Sequence, residues 1–186
     1  MQSSGTAVTP PKDTSLVNLS HLNYLYVPVT FTDGTNAAGI WIYADAPNYT
    51  FTPAGGEGYT CVDDVSRAAQ VYLRSSQFAT DTSIQSKAFM LINFILELQS
   101  SNGYFYNFLL TGNQINTIGA TSINDPGWWS WRALQTLTEG VPLVKPKNAP
   151  LAGKMDDAVN KLVAALKSDM VTLPQTTKTV SGITVP

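Results

Sequence analysis

The sequence predicts a mainly helical domain, built of helical hairpins and preceded by a short β hairpin. Three observations point there. Apolar residues recur at spacings of three and four through several segments after residue 60. The loops between those segments are short and rich in Gly, Pro, Ser and Asn. The clearest aromatic and β-branched pair of runs lies before residue 50. With 186 residues, the chain is long enough for one domain with a substantial core and too short for two comfortable ones.

Residues 1–15 are dominated by Ser, Thr and Pro and read as a flexible leader, with a single domain over 16–175 and a tail over 176–186. The runs LNYLYVPVTF (22–31) and AAGIWIYADA (37–46) flank the turn Thr32-Asp33-Gly34-Thr35-Asn36 and read as a hairpin. Pro28 confines the first run to an edge. Residues 47–59 form a Gly/Pro-rich loop. Gly55, Gly56 and Gly58 favour a tight turn, because the Lys-Ser/Thr ending of a phosphate-binding loop is missing. Val62, Val65, Ala68, Ala69, Tyr72 and Leu73 then mark a helix, with Thr60 as N-cap and Asp63 completing a capping box. A second helix starts at 81–83, carries Ala88, Leu91, Ile92, Ile95 and Leu98, and ends at 100–103, where Gly103 suits a left-handed residue. The stretch 104–110 is aromatic and extended, and 111–124 is a polar loop. Asp125-Pro126 opens a third helix that stops at Gly140. A connector marked by Pro142, Pro146 and Pro150 leads to a fourth helix over 151–170.

Charge and composition exclude several functions. Only 13% of residues are charged, where about 25% is usual. The net charge is −2, with no run of Lys or Arg, so the basic footprint of a nucleic-acid binder is missing. Cys61 and His21 are the single cysteine and histidine. An intrachain disulfide is impossible, and neither a Cys/His metal site nor a cofactor is expected. No run approaches about 18 consecutive apolar residues, so no membrane span is predicted. The neutral, hydrogen-bonding surface suits an uncharged ligand and a periplasmic or secreted location. The first residues show no signal peptide, and the leader reads as the stretch left behind once such a peptide is cleaved off.

Three clusters carry candidate chemistry. In the first, Asp63 and Arg67 lie four residues apart on one helix face, with Asp64 turned about a hundred degrees away. Carboxylates in a first turn complement the helix dipole, so capping and ion pairing explain them without a ligand. Alternatively, one carboxylate faces a cleft for acid–base work while Arg67 holds the other. In the second, Tyr104, Tyr106 and Phe108 alternate with Phe105 and Asn107, either as a core strand or as sugar-facing aromatics. In the third, Trp128 shares one helix side with Trp131 or Arg132, while Trp129 and Ala133 share another. At least one tryptophan there belongs to the core, and another near the helix start forms a stacking platform. Arg132 is placed to bind a uronate carboxylate or to pair with Asp63 or Asp64. Cys61 reads as a small packed residue.

The strings GEGYTCVDDVSRAAQVYLR (56–74), LQSSNGYFYNFL (98–109) and WWSWRALQTL (128–137) together resemble the six-hairpin glycosidase-like proteins, the (α/α)6 toroids. The resemblance implies a partial toroid, with helix starts and their loops rimming a sugar cleft. It implies a carbohydrate-active protein, the N-terminal part of a glycoside hydrolase acting on oligo- or polysaccharide. Asp63 and Asp64 would then be catalytic. Glu57, Tyr59, Arg67, Tyr104, Asn107, Trp128, Trp129 and Arg132 would bind substrate. Lyases and epimerases share the architecture, and a non-catalytic glycan-binding or scaffold module is the alternative. Since a full toroid has more helices than the four predicted here, an exposed helical flank open to self-association is also expected.

Overall fold

In a computed structural model that describes residues 17–172, 178–180 and 183–185, the first element is a short helix, α1 (Ser20–Leu25). The expected leader over 1–15 lies outside the described residues. The apolar run at 22–31 therefore begins as helix rather than strand. Asn18 Oδ1 accepts from the Ser20 amide at 2.9 Å and starts the turn locally, against the β propensity of the residues after it. β1 (Tyr26–Thr30) then pairs antiparallel with β2 (Asn36–Ile40), in register from Tyr26 opposite Ile40 to Thr30 opposite Asn36. Asp33 closes the turn by accepting from the amide and hydroxyl of Thr35, both at 2.9 Å. Among the described residues β1 pairs with β2 alone, an edge position that tolerates Pro28.

The run 37–46 does not stay one strand. Trp41 extends the ladder by one step, its amide donating to the Leu25 carbonyl, and Ile42 then turns away, its amide donating to the Tyr59 carbonyl. A second hairpin comes next: β3 (Tyr43–Asp45), the end of that run, pairs with β4 (Thr50–Thr52), which lies in the stretch 47–59 that reads as loop. A third sheet joins β5 (Thr60–Cys61), β6 (Phe108–Leu110) and β7 (Gln114–Ile115). Within the tail, β8 (Lys178–Val180) pairs with β9 (Ile183–Val185).

Four longer helices supply most of the core: α2 (Val62–Leu73), α3 (Thr82–Glu97), α4 (Trp128–Val144) and α5 (Ala149–Thr172). α2 packs between α3 and α4, α4 packs on α5, and the β1–β2 hairpin covers α3 through buried Ala37, Ala38 and Ile40. Tyr72, Leu91, Phe94, Leu98, Phe105, Leu137, Met155 and Leu162 are buried together in one cluster. Asp81 caps α3, its Oδ1 accepting from the Ser83 amide at 2.7 Å. Gly103 lies beyond the end of α3 at φ +93°. A Cβ there would meet the Lys161 carbonyl of α5 at 2.7 Å, so only glycine fits the conformation and the contact. α4 begins at Trp128 rather than at Pro126 and runs past Gly140 through Pro142. Pro142 stands in the last turn, where a helix tolerates the break better than in its middle.

The fold class departs from the mainly helical expectation. The structure is 47% helical and 19% strand, with small antiparallel sheets spread along the chain, so it is a mixed α/β fold and not a partial toroid of helical hairpins alone. The reason is local. The extra strands are two or three residues long, too short to leave a period-two signature; β3–β4 and β6–β7 are tight hairpins, and β5 is defined by pairing with the distant β6.

Candidate functional site at the starts of α2 and α4

α2 and α4 run in the same direction, so their N-terminal ends lie side by side. Four cross-links fix this register. Arg132 meets Asp63 near the starts, Nε to Oδ1 3.4 Å. Further along, the Thr136 hydroxyl donates to the Ser66 carbonyl at 3.0 Å and accepts from Gln70 Nε2 at 2.9 Å. Arg74 pairs with Glu139 toward the far ends.

Asn107 completes the start of α2. Its carbonyl accepts from the Val62 amide at 2.8 Å, and its side-chain Oδ1 accepts from the Asp63 amide at 3.2 Å. These are two of the orphan donors that every helix N-terminus must satisfy. Asn107 is itself buried and held in place, its Nδ2 donating to the Thr121 carbonyl at 3.1 Å. The capping box expected from Thr60 and Asp63 does not form. The Thr60 hydroxyl accepts instead from the Ile40 amide at 2.9 Å, binding β2 to β5.

Asp63 and Asp64 differ sharply in surroundings. The Asp63 side chain is 13% exposed; its Oδ2 accepts from Arg67 Nη2 at 2.5 Å. Its Oδ1 is buried without a directed hydrogen bond: Arg132 Nε is close enough to pair electrostatically but does not aim its N–H at that oxygen. The Asp64 side chain is 33% exposed, with Arg67 Nη1 3.7 Å from its Oδ1. The Cys61 thiol donates to its Oδ2 at 3.4 Å. Burial pushes the Asp64 carboxyl above its ordinary value, and the Asp63 charge adds to this, against Cys61 and Arg67. The Cys61 thiol is pushed well up by burial and by the Asp64 charge, so it stays protonated as a donor and is not a nucleophile.

The tryptophans divide between core and rim. Trp129 is buried, and its Nε1 donates to the Phe105 carbonyl at 2.7 Å. Trp128 is 57% exposed and stands edge-on against the Trp129 ring, centroids 5.1 Å apart. Trp131, which helical spacing sets on the Trp128 side but which is not among the expected binding residues, is half exposed, its Nε1 donating to the Pro126 carbonyl at 3.1 Å.

Other expected site residues lie elsewhere. Tyr104 is buried and donates its hydroxyl to Asp169 of α5 at 2.5 Å; burial and that carboxylate push its phenol up to about 12. Tyr59 is buried against Trp41 and donates to Asn113 Oδ1 at 2.7 Å. Glu57 accepts from the Thr121 hydroxyl, and its carbonyl accepts from Asn116 Nδ2 at 2.9 Å. It thus ties the Gly-rich loop to the 116–122 loop that also holds Asn107. The alternation expected over 104–108 is lost, because Tyr104, Phe105, Asn107 and Phe108 are all buried. The rim therefore consists of Asp63, Asp64, Arg67, Trp128, Trp131 and Arg132, with Asn107 beneath it.

Among the described residues, no group of three or more His, Cys, Asp or Glu side chains converges as a metal site would require. No helix among them is long and apolar enough to cross a membrane. No protein-family model matches the chain, and no curated protein is similar to it.

Proposed function

We propose that the rim at the starts of α2 and α4 binds carbohydrate, as the sugar-contacting surface of a carbohydrate-active protein. The observation that carries this reading is the placement of Trp128. Its ring is more than half exposed, braced by buried Trp129, and four residues from Arg132, whose guanidinium meets Asp63. A rigid aromatic face offers apolar surface to the C–H face of a sugar ring at little entropic cost. The adjoining Asp and Arg groups offer acceptors and donors for its hydroxyls. The low overall charge suits an uncharged ligand, and the resemblance of the three sequence strings to glycosidase-like proteins supports the same class. The test is calorimetry of the full chain against a panel of oligosaccharides. Binding should be lost in Trp128→Ala and kept in Asp64→Asn. Equal binding by wild type and Trp128→Ala would overturn the reading.

A second reading, glycoside hydrolysis, is favoured by one observation: Asp64 is a partly exposed carboxyl whose affinity for its proton is raised. A general acid acting on a glycosidic oxygen needs that property. Asp63 is not its opposing partner, because neighbours on one helix diverge by about a hundred degrees and Asp63 is already engaged by Arg67. Under this reading Asp64→Asn abolishes oligosaccharide cleavage while leaving binding intact. Unchanged turnover in that variant would exclude it.

A further inference from the structure

A second aromatic surface lies outside the rim. Five ring contacts join six side chains of α1, the Trp41 bend, the β3–β4 hairpin and the loop before β5. Trp41 and Phe51 stack with centroids 5.2 Å apart and planes 4° from parallel. Phe51 meets Tyr24 at 4.8 Å, His21 lies near both Tyr24 and Tyr49, and Tyr59 closes the inner end against Trp41 at 5.0 Å. The inner end is buried at Tyr59, while Tyr24, Phe51 and Tyr49 are 48%, 36% and 54% exposed. The Tyr24 hydroxyl donates to the Tyr49 carbonyl at 2.7 Å and pins the outer ring to the hairpin turn. Three large exposed rings so close together exceed the scattered apolar residues of an ordinary surface.

We propose that this aromatic strip is a second sugar-binding site, continuous with the rim, and that the ligand is a neutral glycan chain long enough to lie across both. This rests on the carbohydrate reading of the rim. Continuity comes from one chain of contacts at the Asp64 side: Ile42, the neighbour of Trp41, packs with Cys61, whose thiol donates to Asp64. The chemistry selects an uncharged glycan. The hairpin 43–52 carries one charged residue, Asp45, which accepts from the Thr52 hydroxyl at 2.5 Å. Around the rings stand neutral donors and acceptors, Asn48, Thr50 and the Tyr49 phenol, suited to sugar hydroxyls. The rings brace one another from a buried end, so a ligand meets a surface that is already ordered.

The experiment measures binding of the full chain to cello-, xylo-, manno- and chito-hexasaccharides and to the matching disaccharides, by calorimetry. Tyr24→Ala and Tyr49→Ala are exposed changes, and circular dichroism checks that both variants fold. In each, the hexasaccharide dissociation constant should rise about tenfold, on the scale of one aromatic contact, with disaccharide binding unchanged. Trp128→Ala should weaken both ligands. Hexasaccharide binding that is weakened by Trp128→Ala but untouched by both tyrosine variants overturns the strip and leaves the rim reading standing. Binding of no panel member overturns both. A wild-type dimer in sedimentation velocity that becomes monomeric in Tyr49→Ala also overturns the strip, since a second copy of the chain would be its occupant.

Discussion

Arg132 of α4 reaches Asp63 of α2 at 3.4 Å, while Arg67 holds the same carboxylate from within α2 at 2.5 Å. One anion therefore stands between two guanidinium groups, and the two helices that carry the rim meet through it. Both arginines are about half exposed, at 52% and 46%, whereas the Asp63 side chain is 13% exposed. That asymmetry decides which substitution matters. Arg132→Ala removes one half-solvated ion pair and should cost about 1 kcal/mol or less. Asp63→Ala removes the anion, leaves two like charges facing each other and should cost about 2 kcal/mol. Urea unfolding at low salt checks the order. The Arg132→Ala effect should shrink further in 1 M NaCl, where the Debye length is about 3 Å. An Arg132→Ala loss larger than that of Asp63→Ala would show that Arg132 acts through packing instead.

Trp128 and Trp129 are neighbours in sequence with opposite consequences. Trp129 is 3% exposed and its indole N–H satisfies the Phe105 carbonyl. Trp129→Ala should destabilise by about 3–5 kcal/mol, combining cavity and lost hydrogen bond. Trp128→Ala deletes a mostly solvated ring and should stay within about 1 kcal/mol, the loss coming from its edge contact with Trp129. Thermal unfolding monitored by circular dichroism separates the two. Similar losses in both would mean that Trp128 is part of the core and unavailable as a platform.

The pair also shows how far the sequence could be read. Helical spacing separates Trp128 and Arg132 from Trp129 and Ala133, and the structure places the two sets on the exposed and buried sides. The four long helices were legible for the same reason: a stripe at three and four is a local property. Pairing between distant segments was not legible. Thr60 has the chemistry of an N-cap, but its hydroxyl serves the Ile40 amide twenty residues away, and Asn107 caps α2 from forty-four residues downstream. No window of sequence contains both partners. β4 was hidden for a different, local reason: a strand of three residues carries no period, and its Gly/Pro-rich surroundings read as loop. The aromatic content of 43–51 was visible, but not its convergence with Tyr24 and Trp41.

Asp64 gives the rim a pH signature whose sign is set by its surroundings. Burial raises its carboxyl above 3.8 in the folded protein, which means that folding favours the protonated form. Protons are then bound more tightly in the native than in the unfolded state. The contribution of Asp64 to stability is fully present below its unfolded value and is lost as pH rises through the folded one. Asp64→Asn removes that dependence while keeping the size of the side chain. The stability of wild type relative to Asp64→Asn should accordingly fall as pH is raised from about 3.5 toward 6, and at neutral pH the variant should equal or exceed wild type. Urea unfolding of both proteins across that range is the measurement. Relative stability that rises with pH instead would mean that Arg67 outweighs burial at Asp64. The carboxylate would then be firmly ionised, and the proton-donor reading would fail with it.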